Sequence, residues 1–331
     1  MYEQIDCPVL LVGGLDDNKP SPALLQRVEK GLKAHGKTVD LLLVKGGHGF
    51  AEPTLPAYEK TSAAQAWSAA LAFLGLSRRL SPTLTLEHLR PDAVLVRHAF
   101  PWSANSLLVR VADDEVVFVD TPYTPDATQE VLGWLADHWG NPSVVGISTG
   151  YHVDNLGGVK TLLDAGYAVH GSSLTARLLG ERGEQVRSQL LSLLTSPSDA
   201  EYARAHAAVP YVAPNRLFDA EKGLTLRFGG ERVEVFYPGP SHATDNLVVY
   251  FSGRRLLFGG CMVKALEADN LGFVADADLR GWPDALERVA RRYARAELVI
   301  PGHGEPGGME LLSHTRALLS KHAKHQSDRP E

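Results

Sequence analysis

A chain of 331 residues with 44% hydrophobic and 22% charged residues is globular and long enough for more than one core. Its net charge of −6, with no long basic block, gives no electrostatic footprint for nucleic acid or for an anionic membrane surface. No apolar run approaches the roughly 18 residues that a membrane span needs, so a small-molecule substrate is the expected partner. The start, MYEQIDCPVLLVGG, is acidic and lacks a small-residue cleavage site, so the sequence as written reads as cytoplasmic; export would need a longer N-terminus. Cys7 and Cys261 are the only cysteines and fall in segments assigned to different domains, which argues against a structural disulfide.

In chain order, Pro8–Val12 reads as a strand, Pro22–His35 as a helix, Thr38–Val44 as a second strand and Ala57–Leu74 as an amphipathic helix. This βαβα succession, residues 1–80, implies parallel pairing across the helix and a small sheet with an exposed edge. That edge needs cover from the rest of the chain or from self-association. Ser77–Thr83, SRRLSPT, has the composition of a linker.

Residues 81–331 then turn β-rich. Strands are expected at Ala93–Arg97, Ser106–Val111 and Val116–Asp120, a helix at Asp126–Trp139 and another at Gly158–Ala165. Ser172–His206 is a long helical stretch between the two halves, read as an amphipathic cover whose position would let it roof a site. A second β-rich half ends in helices at Trp282–Arg295 and Glu310–Lys324, followed by a polar tail, KHAKHQSDRPE, expected to be disordered; its His322 and His325 are read as solvated.

Four short apolar runs, Val144–Ile147, Val233–Tyr237, Arg255–Phe258 and Leu298–Ile300, are followed closely by His152 with Asp154, His242, Cys261 and His303. Strands in those places would bring imidazole, carboxylate and thiolate groups to one edge of a sheet structure. Zn²⁺ accepts nitrogen, sulfur and oxygen donors together, and the soft thiolate favours it over Mg²⁺ or Ca²⁺. Gly146-Ile-Ser148-Thr-Gly150 satisfies the G-x-S-x-G pattern, but it leads into the metal motif and is read as a decoy rather than a nucleophile turn.

The motifs GYHVDNLGG, PGPSHATDN, FGGCMVKAL and IPGHGEPGG, in this order, resemble the metallo-β-lactamase superfamily in its branch with a cysteine ligand, over roughly residues 88–320. The resemblance implies an α/β fold, the αβ/βα sandwich. It also implies a metal position at Asp154, Cys261 and His303 and another at His152 and His242. Gly150 stands where family members usually carry a third imidazole, so the first of these zinc sites is expected to be tight and the second weak. His98, on the loop HAFPWSAN, is a conceivable replacement, though a supporting role suits it better. Lys264 matches the lysine that binds a substrate carboxylate, and Phe273 stands where an asparagine donor is usual, with Asn270 nearby. LLVGGLDDNKP, GLKAHGKTVDLLLVKGGHGF and AAQAWSAALAFLGL resemble the C-terminal part of dienelactone hydrolases, an α/β-hydrolase family; Asp16 and His48 match its triad acid and base, and the nucleophile is missing.

Three functions follow from these resemblances. The leading one is a zinc β-lactamase in which a metal-activated water, with Asp154 and His152 as catalytic groups, attacks the β-lactam amide while Lys264 and Asn270 hold the substrate. A glyoxalase II-like thioesterase or a lactonase is the second; Asn155 and Cys261, where those relatives carry His and Asp, count against it. A non-catalytic zinc-binding fusion protein is the third.

Overall fold

The computed structural model describes residues 2–327, with side chains to residue 324. Packing divides it into two compact units that meet in sequence at Arg78 and Arg79.

The first unit contains β1 (Val9–Gly14), α1 (Pro22–Ala34), β2 (Val39–Val44) and α2 (Lys60–Phe73). Ser21 starts α1: its hydroxyl accepts the Leu24 amide, and Pro22 occupies the first turn, where its missing N–H costs nothing. The helix crosses between two strands that pair in parallel from Val9 with Val39 to Gly14 with Val44, and these two strands are the whole sheet of this unit among the described residues. Leu25, Leu32, Val39, Val44 and Phe50 are its buried apolar side chains, a small core.

The boundary itself differs from the sequence reading: most of the expected linker is strand β3 (Ser77–Ser81), which spans it and forms the edge of an eight-stranded sheet. Strand pairing overrides the weak local propensity of SRRLS, and Leu80 packs on the core. The other strands of this sheet are β4 (Leu84–Arg90), β5 (Ala93–Ala99), β6 (Ser103–Ala112), β7 (Glu115–Val119), β8 (Ser143–Ile147), β9 (Ala168–Ser172) and β10 (Arg216–Phe218), in the order β10-β9-β8-β7-β6-β5-β4-β3. The helices α3 (Pro125–Trp139), α4 (Val153–Leu156), α5 (Val159–Asp164), α6 (Ser173–Ser192) and α7 (Ala200–Ala208) come from the connections beyond β7. Five strands, β11 (Leu224–Phe228), β12 (Glu231–Phe236), β13 (Val248–Phe251), β14 (Leu256–Gly260) and β15 (Leu298–Pro301), make a second sheet, joined by α8 (Trp282–Arg292) and α9 (Glu310–Ser327).

Alternation along the strands explains the layering. Leu95, Leu107, Val117 and Val119 from the first sheet meet Val235, Val249, Phe258 and Ile300 from the second in one inter-sheet core. The intervening residues Val94, Val96, Leu108 and Phe118 face outward onto α3, α5 and α6, while Val248, Leu257 and Val299 face α8 and α9. Helix, sheet, sheet, helix is the order of layers, so strands buried on both faces read as continuous apolar runs. The long helical stretch breaks between α6 and α7, where Ser196 and Asp199 cap a short 3-10 turn. Helix α9 continues to Ser327, so the tail is helical further than expected; residues 328–331 and the His325 side chain lie outside the described residues. No helix among the described residues is long and apolar enough to cross a membrane.

Candidate metal centre and active-site cavity

Strands β8, β12, β14 and β15 each end just before one of the ligand motifs. His152 is the N-cap residue of α4 and Asp154 lies in its first turn. Cys261 directly follows β14, and His303 follows β15 by two residues.

Asp154, Cys261 and His303 converge, their ligand atoms all within 4.8 Å of one another. Asp154 Oδ2 is 3.2 Å from Cys261 Sγ and 3.2 Å from His303 Nε2, and Sγ lies 3.8 Å from that nitrogen. A tetrahedral ion with bonds of roughly 2.0–2.3 Å has ligand-to-ligand edges of about 3.3–3.8 Å, so the triangle has the size of one face of a zinc site. Carboxylate, thiolate and imidazole are also the right donors for it.

The surroundings fix each donor. His303 Nδ1 is 2.7 Å from the Ser103 carbonyl, so it carries the proton and leaves Nε2 as a lone-pair donor toward Asp154 and Cys261. The loop bearing His303 is pinned by Asn105, whose side-chain amide donates to the Pro301 and Gly304 carbonyls while its backbone amide donates to Gly302. Gly302 is required by packing: a β-carbon there would stand 2.6 Å from the Cys261 amide and 2.8 Å from Sγ. Asp120, held at φ 55 after β7, accepts from the Thr149 amide and hydroxyl and from the Asn155 amide, which locks the loop carrying His152 and Asp154. Burial pushes the Asp120 carboxyl up to about 8.

Electrostatics follow the same geometry. Burial alone would raise the Asp154 pKa, but His303, with His152 and Cys261 adding to it, holds the carboxyl well below its ordinary value. Burial and the neighbouring Asp154 charge push the Cys261 thiol far up. A metal would have to displace that proton, as thiolate coordination always does.

His152 and His242 are also brought together, with ring centroids 5.6 Å apart. His152 Nε2 lies 3.3 Å from Asp276 Oδ2, which leaves Nδ1 as the free ring nitrogen. Burial opposes its protonation, yet the Asp276 hydrogen bond and the charges of Asp154 and Asp245 leave its pKa raised. His242 packs against Trp282, its Nδ1 is buried without a partner, and burial depresses its pKa strongly. Gly150 is tightly enclosed: a β-carbon there would meet Asn155 Oδ1 at 2.9 Å and Asn246 Nδ2 at 3.2 Å, so two amides occupy the space beside the position of the absent imidazole.

These groups lie at a cavity of about 970 Å³ lined by His152, Asp154, His242, Lys264 and His303 on its polar side. Lys264 is 6% exposed, and no carboxylate lies within ion-pair distance of its ammonium among the described residues. Burial lowers its pKa, while Cys261 and Asp154 oppose that. Phe273 lines the cavity, with its ring 6.1 Å from that of His152. Asn270, by contrast, is exposed and is not among the residues lining the cavity; its side-chain amide donates to Asp269 and accepts from the Gly272 amide, which closes its own turn.

Other sequence candidates have structural roles. His98 Nδ1 accepts the Tyr123 amide, its ring stacks on Phe100, and burial brings its pKa down to about 4. Ser148 is buried and donates to the Gly150 carbonyl. In the first unit His48 faces Asp17 rather than Asp16, at 3.3 Å. Asp120, Asn105, Ser103 and Asp276 are supporting residues that sequence reasoning missed; for Asp276 the signal was an acid inside the apolar run LGFVADADL.

Comparison with known proteins agrees with this architecture. Residues 99–303 match the family described as the metallo-beta-lactamase superfamily, and residues 1–77 match the dienelactone hydrolase family. The chain is 34% identical over 204 residues to a metallo-beta-lactamase type 2 of Bacillus cereus, covering 62% of this chain and 68% of that one. A metallo-beta-lactamase type 2 of Pseudomonas aeruginosa is 29% identical over 240 residues, covering 71% and 83%. The structure of a metallo-beta-lactamase from Pontibacter korlensis superposes with a TM-score of 0.61 at 32% identity, covering 72% of this chain and 99% of that one. A family match across more than half of its length makes the chain a member of the metallo-beta-lactamase superfamily, a family of metallo-hydrolases. Its Asp154, Cys261 and His303 form a candidate metal site, and its fold is that superfamily's sandwich preceded by a segment similar to part of an α/β-hydrolase.

Proposed function

We propose that the chain is a zinc-dependent hydrolase that opens the amide of β-lactams. The observation that carries this reading is the convergence of Asp154 Oδ2, Cys261 Sγ and His303 Nε2 beside a cavity that Lys264 also lines. Asp154, Cys261 and His303 would hold the tighter zinc ion, and His152 with His242 a weaker one, because Gly150 supplies no side chain. Zinc at these positions supplies Lewis acidity and a lowered pKa for water.

The chain's own residues do the rest. Lys264 binds the carboxylate next to the scissile amide, its charge strengthened by the low dielectric around it. His152, tied to Asp276 through Nε2, keeps Nδ1 as the nitrogen that faces metal or a water proton. Asp154, held ionised, orients the attacking water through its carboxylate. The Phe273 side chain offers no hydrogen bond to the carbonyl oxygen, so the donor that an asparagine would supply at this position is missing. The first unit is proposed to be non-catalytic, since the His48 side chain is 73% exposed and its one carboxylate contact among the described residues is Asp17.

Hydrolysis of a chromogenic cephalosporin and of a carbapenem by zinc-loaded protein, with zinc content measured on the same sample, tests the reading. Turnover that disappears in Cys261→Ser is the expected result. Bound zinc without turnover would move the assignment to a thioester or lactone substrate.

A further inference from the structure

Helix α6 presents one continuous stripe to the site. Arg182, Val186, Leu190 and Leu193 are spaced four, four and three residues apart, which places them on one helical face, with Leu193 as the C-cap residue. At the near end Arg182 is 3.2 Å from Asp276, the carboxylate that also accepts from Tyr151 and lies against His152. Val186, Leu190 and Leu193 line the cavity. Trp102, from the β5–β6 turn, and Phe273, from the loop after β14, line it as well.

The two large side chains at the mouth are not covered. Leu193 is 54% exposed and Trp102 is 41% exposed, while the polar side of the same cavity carries Lys264 and the metal ligands. Apolar surface left open beside a charged floor gains from a ligand that is anionic at one end and apolar at the other.

We propose that the last turns of α6, through Leu190 and Leu193, bind a large apolar acyl or aryl group of the substrate, making α6 a specificity wall tethered to the metal site by Arg182. This inference rests on the hydrolase reading above and narrows its substrate class to anionic amides bearing a bulky apolar acyl group. Leu193 acts through contact with that group, away from the reacting atoms, so its contribution is to binding.

The test compares two penicillins that differ only in the acyl group, phenylacetyl against acetyl. In Leu193→Ser the KM for the phenylacetyl compound rises roughly 5–10-fold, the size expected for losing most of one leucine contact, and kcat for it does not change. The KM for the acetyl compound moves less than twofold, and Leu193→Met restores the phenylacetyl value. Equal changes for the two compounds, or no change in either, would overturn the wall. If the wild-type protein turns over neither penicillin, the β-lactam reading fails on its own. The wall is then read by calorimetric binding of N-phenylacetylglycine and N-acetylglycine, where Leu193→Ser must weaken only the first.

Discussion

His48 in the first unit and His303 in the second both follow an apolar strand and both approach an aspartate, at 3.3 Å and 3.2 Å. Their settings differ in the second ring nitrogen and in what surrounds the carboxylate. His303 is anchored by the Ser103 carbonyl, while the His48 side chain is 73% exposed and Asp17 also accepts the Lys19 amide. Asp154 sits among a thiol, two imidazoles and a cavity; Asp17 sits on a turn. A histidine beside a carboxylate becomes a reaction centre when a second contact fixes its ring and burial gives its charges weight. In the first unit the carboxylate is just as covered, with the Asp17 side chain 7% exposed, so the difference lies in the ring, which is open to solvent.

The sharpest way to break this contrast is to remove the thiolate. Cys261→Ser should cut zinc content to a small fraction of the wild-type value and lower hydrolysis by more than about 100-fold, beyond the roughly 10–100-fold that losing a supporting partner costs. Metal analysis and steady-state rates on one preparation check it. Asp276→Asn comes next, with an expected loss of about 10–100-fold in zinc affinity or in kcat/KM. The amide can still touch Tyr151, but it no longer provides the anionic acceptor that fixes His152 through Nε2. Competition with a chromogenic chelator separates the affinity loss from a folding defect. An unchanged affinity and rate would show that His152 needs no such anchor.

Much of this was legible in the sequence, for reasons specific to each residue. The strand ends before His152, Cys261 and His303 could be read because β14, β15 and, after its exposed Ser143, β8 are largely buried and apolar. Edge strand β3 could not, since SRRLS gains its order from β4 and not from its own composition. Strands β9 and β13 were also missed: AVHGS is broken by His170 and Gly171, and VVYF, with no ligand motif behind it, is ambiguous by periodicity. Local spacing pointed to the candidate ligands, but the residues that contact them come from distant segments. Asp276 is more than a hundred positions from His152, and Ser103 two hundred from His303. Asn270 shows the converse: a polar residue near the expected place whose amide bonds within its own turn and is not among the cavity's lining residues.

Gly150 gives a subtler comparison, between this chain and the three-imidazole site its motif suggests. Gly150→His should not create a tight second metal position, because its β-carbon meets the Asn155 and Asn246 amides. The expected outcome is a loss of about 1–3 kcal/mol in stability, typical of overpacking, with no added zinc. Urea midpoints and metal stoichiometry measure the two halves of that statement. A variant that gains a second equivalent of zinc without losing stability would mean that the amides yield readily, and that the glycine alone limits the site.

The smallest effect is expected in the first unit. His48→Ala removes an exposed ring whose one carboxylate contact among the described residues is Asp17, so stability should stay within about 0.5 kcal/mol of wild type. Hydrolysis of the cephalosporin should change less than twofold, because every residue assigned to that reaction belongs to the second unit. An ester such as 4-nitrophenyl acetate makes the experiment discriminating: ester turnover that persists in Cys261→Ser but vanishes in His48→Ala would reveal an independent active centre in the first unit. Loss of both together in His48→Ala, with folding intact, would instead tie the first unit to the metal site's activity. The contrast drawn from burial and anchoring predicts neither. It predicts that His48 can be removed at little cost, because a largely exposed ring held by one carboxylate among the described residues has little geometry to lose.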